Sequence, residues 1–432
     1  MELMPGYKHS DVGVIPDDWD ATPLGSVLSK GRLGGNYANQ DAEAELPLMK
    51  MGNLARGNFD LSKVQFIRPG VLPDSVHRLV YGDVLFNTRN TLDLVGKVAI
   101  WRDEIPVAYY NSNLMRLEFD PNKICSNEYA NYSLNTESAI SRLRGLATGT
   151  TSVAAIYTRD LLKLQILVPP RPEQRAIAQA LSDVDALLAT LDQMIAKKHD
   201  LKQATMQQLL TGTTRLPGFS GEWEPKKLEH AGSCLRGVTY RGDDDLSPHD
   251  TAFTKRLLRS NNVQKAFVVT NDVQFVNGKR VSQIQVLQKN DILICMANGS
   301  KTLVGKAGLF SIEDGFDYTF GAFMGCFRTD ESIADAVFVF SLFQTGRYRD
   351  YINNLLAGSS INNLSPSSIE SLEFSFPPYS EQVAIGQVLA EMDAELSAFE
   401  ARRDKTRNIK QAMMQELLTG KTRLISKEEG NV

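Results

Sequence analysis

The feature that most constrains this chain is a long internal repeat. Residues 169–216 and 377–424 align without a gap at a constant offset of 208, and about half of the aligned positions are identical. Both copies open on Pro-Pro-x-x-Glu-Gln and close on Leu-Leu-Thr-Gly-x-Thr-Arg-Leu. Solenoid proteins repeat every ~20 to 50 residues, far less than this offset, so the sequence repeats a whole module.

Within each copy, apolar residues recur at alternating intervals of four and three. They are Ile177, Leu181, Val184, Leu188 and Leu191 in the first copy, and Ile385, Leu389, Met392, Leu396 and Phe399 in the second. This spacing predicts a helix with a narrow apolar stripe, as in a coiled coil. Pro172 and Ser380 suit a helix start, and Gly212 and Gly420 suit a left-handed C-terminal cap. Each helix should run roughly 38 residues, or ~55 Å at ~1.5 Å per residue.

Two long helices with matching stripes most simply pack on each other. Antiparallel packing would relate the two copies by a pseudo-two-fold axis and form an antiparallel coiled coil. The alternative is that each stripe mediates self-association with another chain.

The segments that precede the helices contain short β-branched and aromatic runs separated by Gly, Asn, Asp and Pro, which predicts strand-rich domains with some helix. Helices are predicted around Ser126 to Leu143 and Ile333 to Tyr348. The fold class is therefore α+β, with two mixed strand-rich domains that alternate with two long helices. The predicted boundaries are 1–168 for the first domain, 169–216 for the central helix, 217–376 for the second domain, and 377–432 for the C-terminal helix and tail.

The two domains also resemble each other. Gly82 to Phe86 matches Asn290 to Ile294, and Trp19 before Leu24 parallels Trp223 before Leu228. Between these anchors the sequences diverge. Divergence confined to loops on a shared scaffold is typical of domains that bind different targets.

The composition excludes several classes of protein. The chain has 432 residues and 42% hydrophobic content, but no run approaches the ~18 to 20 apolar residues of a membrane span. Its start lacks a secretory pattern, so we expect a cytoplasmic protein. The four cysteines and five histidines are scattered, which indicates neither a disulfide framework nor a metal site. The net charge of −4 does not by itself point to a polyanion.

No catalytic motif is present either. The sequence lacks the glycine-rich phosphate loops of nucleotide-binding proteins. Phe376-Pro377-Pro378-Tyr379 resembles the Pro-Pro-Tyr motif of amino-methyltransferases, but phenylalanine cannot accept the hydrogen bond from the target amino group. We therefore expect no catalytic residue and no metal ligand in this chain.

The divergent loops are rich in side chains that suit nucleic acid. Arg and Asn can form bidentate hydrogen bonds with guanine and adenine edges, and Lys, Ser and Thr suit phosphate oxygens. The candidates in the first domain are Lys50, Asn53, Arg56, Asn87, Arg89, Asn90, Arg142, Arg144, Thr150 and Thr151. Those in the second are Arg256, Arg259, Asn261, Asn262, Asn298, Ser300, Lys301, Arg347, Arg349, Ser359, Ser360 and Asn362.

With these features in place, the chain resembles the specificity subunits of Type I restriction-modification systems. The resemblance rests on the doubled Pro-Pro-x-x-Glu-Gln-x-x-Ile openings, the Leu-Leu-Thr-Gly closings and the Ser-x-x-Gly-x-Ile-Pro-x-x-Trp segment from Ser10 to Trp19. It covers essentially the whole chain. The second domain keeps Trp223 but lacks the Ile-Pro.

The resemblance implies a non-catalytic subunit that recognises double-stranded DNA. Each strand-rich target recognition domain would bind one half of a split, asymmetric site, and the helices would set the distance between halves. The implied partners are two methyltransferase subunits and ATP-dependent restriction subunits. S-adenosylmethionine, ATP and Mg²⁺ would be bound by those partners, and this chain would carry no cofactor.

Two other hypotheses remain at this point. One is a non-enzymatic coiled-coil scaffold that binds a protein partner, which sequence-selective, salt-dependent DNA binding by the purified complex would exclude. The other is a methyltransferase with its own catalytic site, which S-adenosylmethionine binding by the isolated chain would support.

Overall fold

The computed structural model of this chain describes residues 5–150, 153–264, 266–357 and 362–425. The chain divides into two compact units: unit 1 comprises residues 1–192 and 402–432, and unit 2 comprises residues 193–401. Each unit therefore combines one strand-rich segment with stretches of both copies of the repeat.

Unit 1 consists mainly of short strands, as its β-branched and aromatic runs predict. Its strands are β1 (Tyr7–Ser10), β2 (Gly13–Pro16), β3 (Asp20–Pro23), β4 (Leu28–Leu33), β5 (Asn39–Gln40), β6 (Pro47–Met49), β7 (Gln65–Ile67), β8 (Val84–Asn87), β9 (Arg89–Asn90), β10 (Val98–Ile100), β11 (Tyr109–Tyr110), β12 (Leu114–Phe119), β13 (Thr148–Gly149), β14 (Ala154–Ala155) and β15 (Gln165–Val168). Its short helices are α1 (Leu24–Val27), α2 (Asn127–Leu134), α3 (Glu137–Gly145) and α4 (Thr158–Leu161).

Two four-stranded sheets form the body of unit 1. One is antiparallel, with strand order β10-β8-β12-β4; the other has the order β11-β6-β7-β5, with β11 parallel to β6. The larger core of the unit contains Trp19, Phe86 and Leu117 together with Ile177 and Leu181 of the first repeat copy. These two stripe positions are fully buried, so the core of unit 1 anchors the start of the repeat helix.

The first repeat copy forms one 39-residue helix, α5 (Arg171–Leu209). The elements that follow are β16 (Glu224–Lys227), β17 (Gly232–Arg236), α6 (Gly242–Asp245), β18 (Leu246–Ser247), β19 (Thr254–Leu258), β20 (Val263–Gln264), β21 (Phe267–Val268), β22 (Gln274–Asn277), β23 (Ile292–Cys295), β24 (Ala307–Leu309), β25 (Tyr318–Phe320), β26 (Met324–Thr329), α7 (Ala336–Leu342), α8 (Gly346–Ala357), α9 (Pro366–Glu370), β27 (Glu373–Phe376) and α10 (Tyr379–Leu417). The second copy, α10, also has 39 residues.

The strand-rich part of unit 2 has the same internal topology as that of unit 1. Its larger sheet contains the run β17-β26-β23-β24, and its second sheet has the order β18-β22-β19-β25 with β25 parallel to β19. These orders correspond strand by strand to β4-β12-β8-β10 and β5-β7-β6-β11. The strand orders therefore show that the two domains are structurally similar, as their sequences predict.

Two details of the helices differ from the expectations. The long helices begin at Arg171 and Tyr379, so Pro172 lies in the first turn as predicted, but Ser380 lies inside the helix and does not cap it. Gly212 and Gly420 have the predicted left-handed backbone, with φ of +71° and +72°. Each shorter predicted helix is a pair of helices, α2 with α3 and α7 with α8. In the first pair, Thr136 starts a new helix by accepting a hydrogen bond from the Ala139 N–H, which breaks the run.

Within unit 1, the first part of α5 packs against the last part of α10. Asp185 Oδ1 lies 2.6 Å from Lys410 Nζ, and Asp192 Oδ1 lies 3.8 Å from Arg403 Nη1. As the residue number rises along α5, it falls along α10, so the packed segments are antiparallel.

Within unit 2, the last part of α5 packs in the same way against the first part of α10. Lys198 Nζ lies 2.7 Å from Glu395, and Lys202 pairs with Asp393. These segments are antiparallel as well. Among the described residues, no helix has both the length and the hydropathy that a membrane span requires.

The opening motif of the first copy binds the closing motif of the second copy inside unit 1. Glu173 is 1% exposed, and its two carboxylate oxygens lie 2.6 and 2.7 Å from Nε and Nη2 of Arg423. The Trp19 indole N–H donates to the same carboxylate at 2.8 Å, and Arg423 also binds Asp18. The hydrogen bond to Glu173 raises the pKa of Arg423 above its ordinary range. The guanidinium thus remains charged and paired.

Unit 2 contains the reciprocal pair. Glu381 of the second opening motif is fully buried, and its oxygens lie 2.6 and 2.5 Å from Nε and Nη2 of Arg215 in the first closing motif. Trp223 stands beside Arg215, with the guanidinium carbon 5.7 Å from the ring centroid, but its indole N–H has no acceptor among the described residues. Each copy therefore supplies the partner that the other copy's buried glutamate requires.

Candidate nucleic-acid interface

A matching turn follows β6 in unit 1 and β19 in unit 2. The Asn53 side-chain oxygen accepts the Lys50 N–H, and the Asn262 oxygen accepts the Arg259 N–H, both at 2.9 Å. The two asparagines are buried, and their amide groups also donate to loop carbonyls. This corrects the prediction for Asn53 and Asn262: their amides shape the turn and have no free face for a base.

Asn87 is a third asparagine with an internal role. It is fully buried in β8, accepts the Arg89 N–H at 3.2 Å and donates to the Leu94 carbonyl at 3.5 Å. Asn87 therefore leaves the proposed set of contacts. Its hydrogen bond helps to fix the backbone of Arg89, which is exposed.

Several of the other candidates in unit 1 meet on one small sheet of strand order β13-β14-β9. Arg89 and Asn90 form β9 and pair with Ala155 and Ala154 of β14. Since β14 also pairs with β13, the hairpin of β13 and β14 lies beside them, with Thr150 directly after β13. Thr151 lies outside the described residues. The sheet thus gathers polar side chains that are about 60 residues apart in sequence.

Neither Arg56 nor Arg144 has an acidic partner in the part of the chain that the structure describes. Arg56 Nη1 is buried without a hydrogen-bond partner among the described residues. Burial and the positive charge of Arg144 together lower the pKa of Arg56. Arg144 is exposed and donates only weakly, to the Asp93 carbonyl at 3.5 Å. Such a pair favours an anionic ligand.

Three other arginines that were predicted to bind DNA are engaged in contacts within the protein. Arg142 donates to the Gln165 carbonyl at 2.7 Å, and burial lowers its pKa. Arg349 donates to the Val304 carbonyl at 2.8 Å. Arg256 forms ion pairs with Asp250 and Asp314, and its guanidinium carbon lies 3.3 Å from the centroid of the Phe316 ring. Such satisfied guanidinium groups fix strands and loops rather than meet a ligand.

Two lysines and one further arginine have no acidic partner among the described residues. Lys50 donates to Gln65 Oε1 at 2.6 Å, and Lys301 reaches the Leu356 carbonyl only at 3.5 Å. Arg347 is exposed on α8 and lies over the ring of Phe374 in β27. Because none of the three charges is neutralised by a carboxylate, all three side chains stay in the proposed set.

In unit 2, hydrogen bonds bring three loops together. Asn298 Nδ2 lies 3.4 Å from Ser260 Oγ, which joins the turn after β19 to the loop after β23. Asn362 Nδ2 donates to the Gly299 carbonyl at 3.3 Å, and the Asn298 N–H donates to the Asn362 carbonyl. Ser300 is exposed on the same loop. Ser359 and Ser360 lie outside the described residues.

Arg259 and Asn261 share one exposed acidic partner on this surface. Arg259 Nη2 and Asn261 Nδ2 lie 3.0 and 2.9 Å from the same carboxylate oxygen of Asp272, which is 74% exposed. Exposed ion pairs contribute only ~0 to 1 kcal/mol, so this contact is easily exchanged for a base or phosphate. Both residues therefore stay in the proposed set.

The sequence analysis missed one turn that lies among these loops. Asn113 in unit 1 and Phe323 in unit 2 occupy equivalent turns, between β11 and β12 and between β25 and β26. Their carbonyls accept hydrogen bonds from Thr88 N and from Met296 N, respectively. The repeated strand pattern could have shown that the two positions are equivalent, but not that Phe323 is exposed.

Comparisons with known proteins identify the family of this chain. The family model for the Type I restriction modification DNA specificity domain matches residues 75–198 and 221–406, and the chain belongs to this family. The chain is 24% identical over 434 residues to the putative type I restriction enzyme MjaX specificity subunit of Methanocaldococcus jannaschii, covering 97% of each chain. It is 30% identical over 198 residues to the EcoKI specificity subunit of Escherichia coli, covering 46% of this chain and 42% of that one.

The solved structures show the same fold. A Type I restriction-modification S subunit from M. genitalium has a TM-score of 0.60 at 15% identity, with 96% of this chain and 98% of that chain covered. Specificity subunits are the non-catalytic members of their complexes, in which DNA, methyltransferase subunits and restriction subunits are the partners. The family match replaces both the scaffold and the methyltransferase hypotheses.

Proposed function

We propose that this chain recognises a split, asymmetric DNA site, with one half-site bound by each strand-rich domain, 1–168 and 217–376. The antiparallel helices, in 169–216 and 377–432, would form one pseudo-two-fold coiled coil that sets the spacer between the halves. Two methyltransferase subunits and the ATP-dependent restriction subunits would dock on it in the cytoplasm, and S-adenosylmethionine, ATP and Mg²⁺ would be bound by those subunits.

The proposal rests on the observation that the two strand-rich domains share one backbone scaffold but carry different side chains at equivalent loop positions. Both domains have the same strand order and the same asparagine-shaped turn, but Lys50 stands where the second domain has Arg259. Asn113 likewise stands where the second domain has Phe323. Two copies of one frame with different contact residues suit two different half-sites.

Mapping methylated adenines in a strain that carries the gene and in one that lacks it tests this proposal. We expect one asymmetric motif in two parts to lose methylation when the gene is absent. In the complex, Arg89→Ala should alter preference in one half, and Arg259→Ala in the other, each by about 1 to 3 kcal/mol.

The two variants are matched controls, because each should leave the half-site of the other intact. A change in both halves by either variant would contradict the assignment of one domain to one half-site. A uniform loss across all sequences would instead mark the arginine as a phosphate contact.

A further inference from the structure

Phe323 lies between the two main loops of the candidate interface in unit 2. The preceding Gly321 N–H donates to the Leu258 carbonyl at 3.0 Å, which ties the turn to the strand that leads into Arg259. The Phe323 carbonyl accepts from Met296 N at 2.9 Å and Ala297 N at 3.1 Å, which ties the turn to the loop that carries Asn298. The backbone of Phe323 is therefore fixed on both sides.

The side chain of Phe323 nevertheless points away from the core. It is 72% exposed, whereas Phe320 and Met324 on either side of the turn are 0% and 2% exposed. A single exposed apolar residue is common on protein surfaces. This one is surrounded by polar loops, and the equivalent position in the other domain is the half-buried polar Asn113. The two domains thus place different chemistry on the same rigid turn.

The chemistry of base edges indicates what each residue could contact. In the major groove, the 5-methyl of thymine is the apolar group on a base edge, and amide side chains can form hydrogen bonds with adenine. We propose that Phe323 is a specificity-determining residue that makes an apolar contact with a thymine methyl group in the half-site of the second domain. This inference rests on the proposed function, and Asn113 would be the hydrogen-bonding counterpart in the first domain.

The test uses the complete complex of this chain with its methyltransferase subunits. Once the motif is mapped, each thymine of the second half-site is replaced by deoxyuridine, which differs by the absent methyl group. For one thymine, we expect the wild-type Kd to rise about fourfold, which corresponds to about 0.8 kcal/mol for one buried methyl. The Phe323→Ala variant should be insensitive to that same replacement, so the two changes are not additive.

Phe253→Ala is the matched control. Phe253 is 83% exposed in the same unit. It lies directly before β19, at the end opposite to Arg259, and six residues of extended chain separate the two by roughly 20 Å at ~3.3 Å per residue. It should retain the full wild-type sensitivity to deoxyuridine. Phe323→Leu, which keeps an apolar side chain, should retain part of it.

Three results would overturn the inference while the proposed function stands. One is that the effects of Phe323→Ala and of deoxyuridine are additive at every thymine. Another is a mapped second half-site without thymine on either strand. The third is that Phe323→Ala weakens DNA binding equally for all sequences, which would mean that Phe323 does not contribute to sequence recognition. If no split motif is methylated at all, the proposed function itself fails.

Discussion

Replacing Arg423 with alanine tests whether the closing motif of the second repeat copy stabilises unit 1 by binding the opening motif of the first copy. The change removes both close contacts with Glu173, at 2.6 and 2.7 Å, and leaves a carboxylate that is 1% exposed. Of the contacts shown above for this carboxylate, the Trp19 indole N–H would remain. Removing one partner of a buried pair typically costs about 3 to 5 kcal/mol. We expect a loss of that size in the stability of unit 1.

The size of the expected loss of stability distinguishes the contact between Arg423 and Glu173 from an ordinary surface ion pair. An exposed pair contributes about 0 to 1 kcal/mol. Lys163 is 74% exposed and lies 3.5 Å from Asp160, so Lys163→Ala is a suitable control with little expected effect. Adding Glu173→Gln to Arg423→Ala should recover part of the loss, because it removes the unpaired buried charge.

Amide hydrogen exchange measures the effect in each unit separately. Arg423→Ala should lower protection in β12 of unit 1 by roughly 200- to 4000-fold, the equivalent of about 3 to 5 kcal/mol. Arg215→Ala should do the same in β26 of unit 2, where it is the partner of Glu381. If Arg423→Ala lowers protection more in β26 than in β12, or by less than about 1 kcal/mol in both, the pairing argument is refuted.

Three further predictions concern the two tryptophans, the cysteines and the length of the long helices. Trp19→Phe should destabilise unit 1 by about 1.5 to 3 kcal/mol, because its N–H binds a buried carboxylate. Trp223→Phe removes an N–H that has no acceptor within the described ranges, so it should cost unit 2 less in the same exchange experiment. In the native protein at pH 8, iodoacetamide should modify the partly exposed Cys125 but not Cys234, since burial raises the pKa of Cys234 to about 12. Modification of Cys234 before Cys125, detected by peptide mass spectrometry, would contradict this prediction. Adding one heptad to both long helices should lengthen the spacer of the methylated motif by ~3 base pairs. Seven residues add ~10 Å of helix at ~1.5 Å per residue, and each base pair spans ~3.4 Å. An unchanged spacer would contradict the proposal that the helices set the distance between the half-sites.

The long helices were predictable because their determinants are local. The alternation of four and three lies within each 39-residue helix, and Gly212 and Gly420 come three residues after the helix ends. The bond from Glu173 to Arg423 could not be predicted, since the two residues are 250 positions apart. The opening and closing motifs were both recognisable as repeated sequences, but the sequence did not show which closing motif binds which opening motif.

The candidate contacts were only partly predictable, since asparagine has two uses in loops. Its amide can bind a base edge, and it can also close a turn on the backbone. Asn53 and Asn262 have the second use. A sequence signal for this existed: the same residue recurs at equivalent positions in loops that otherwise diverge, which indicates scaffold. Lys50 and Arg259, which remain proposed contacts, differ at equivalent positions.

This distinction also explains where identity between the two copies is concentrated. Glu173 must fit Arg423, and Glu381 must fit Arg215, so each opening motif is complementary to the closing motif of the other copy. A change in either motif would leave a buried charge unpaired in one unit. The turn that carries Phe323 is held by backbone hydrogen bonds, which any side chain permits. The repeated motifs are therefore constrained to stay alike, while the residues proposed to contact DNA are free to differ between the two domains.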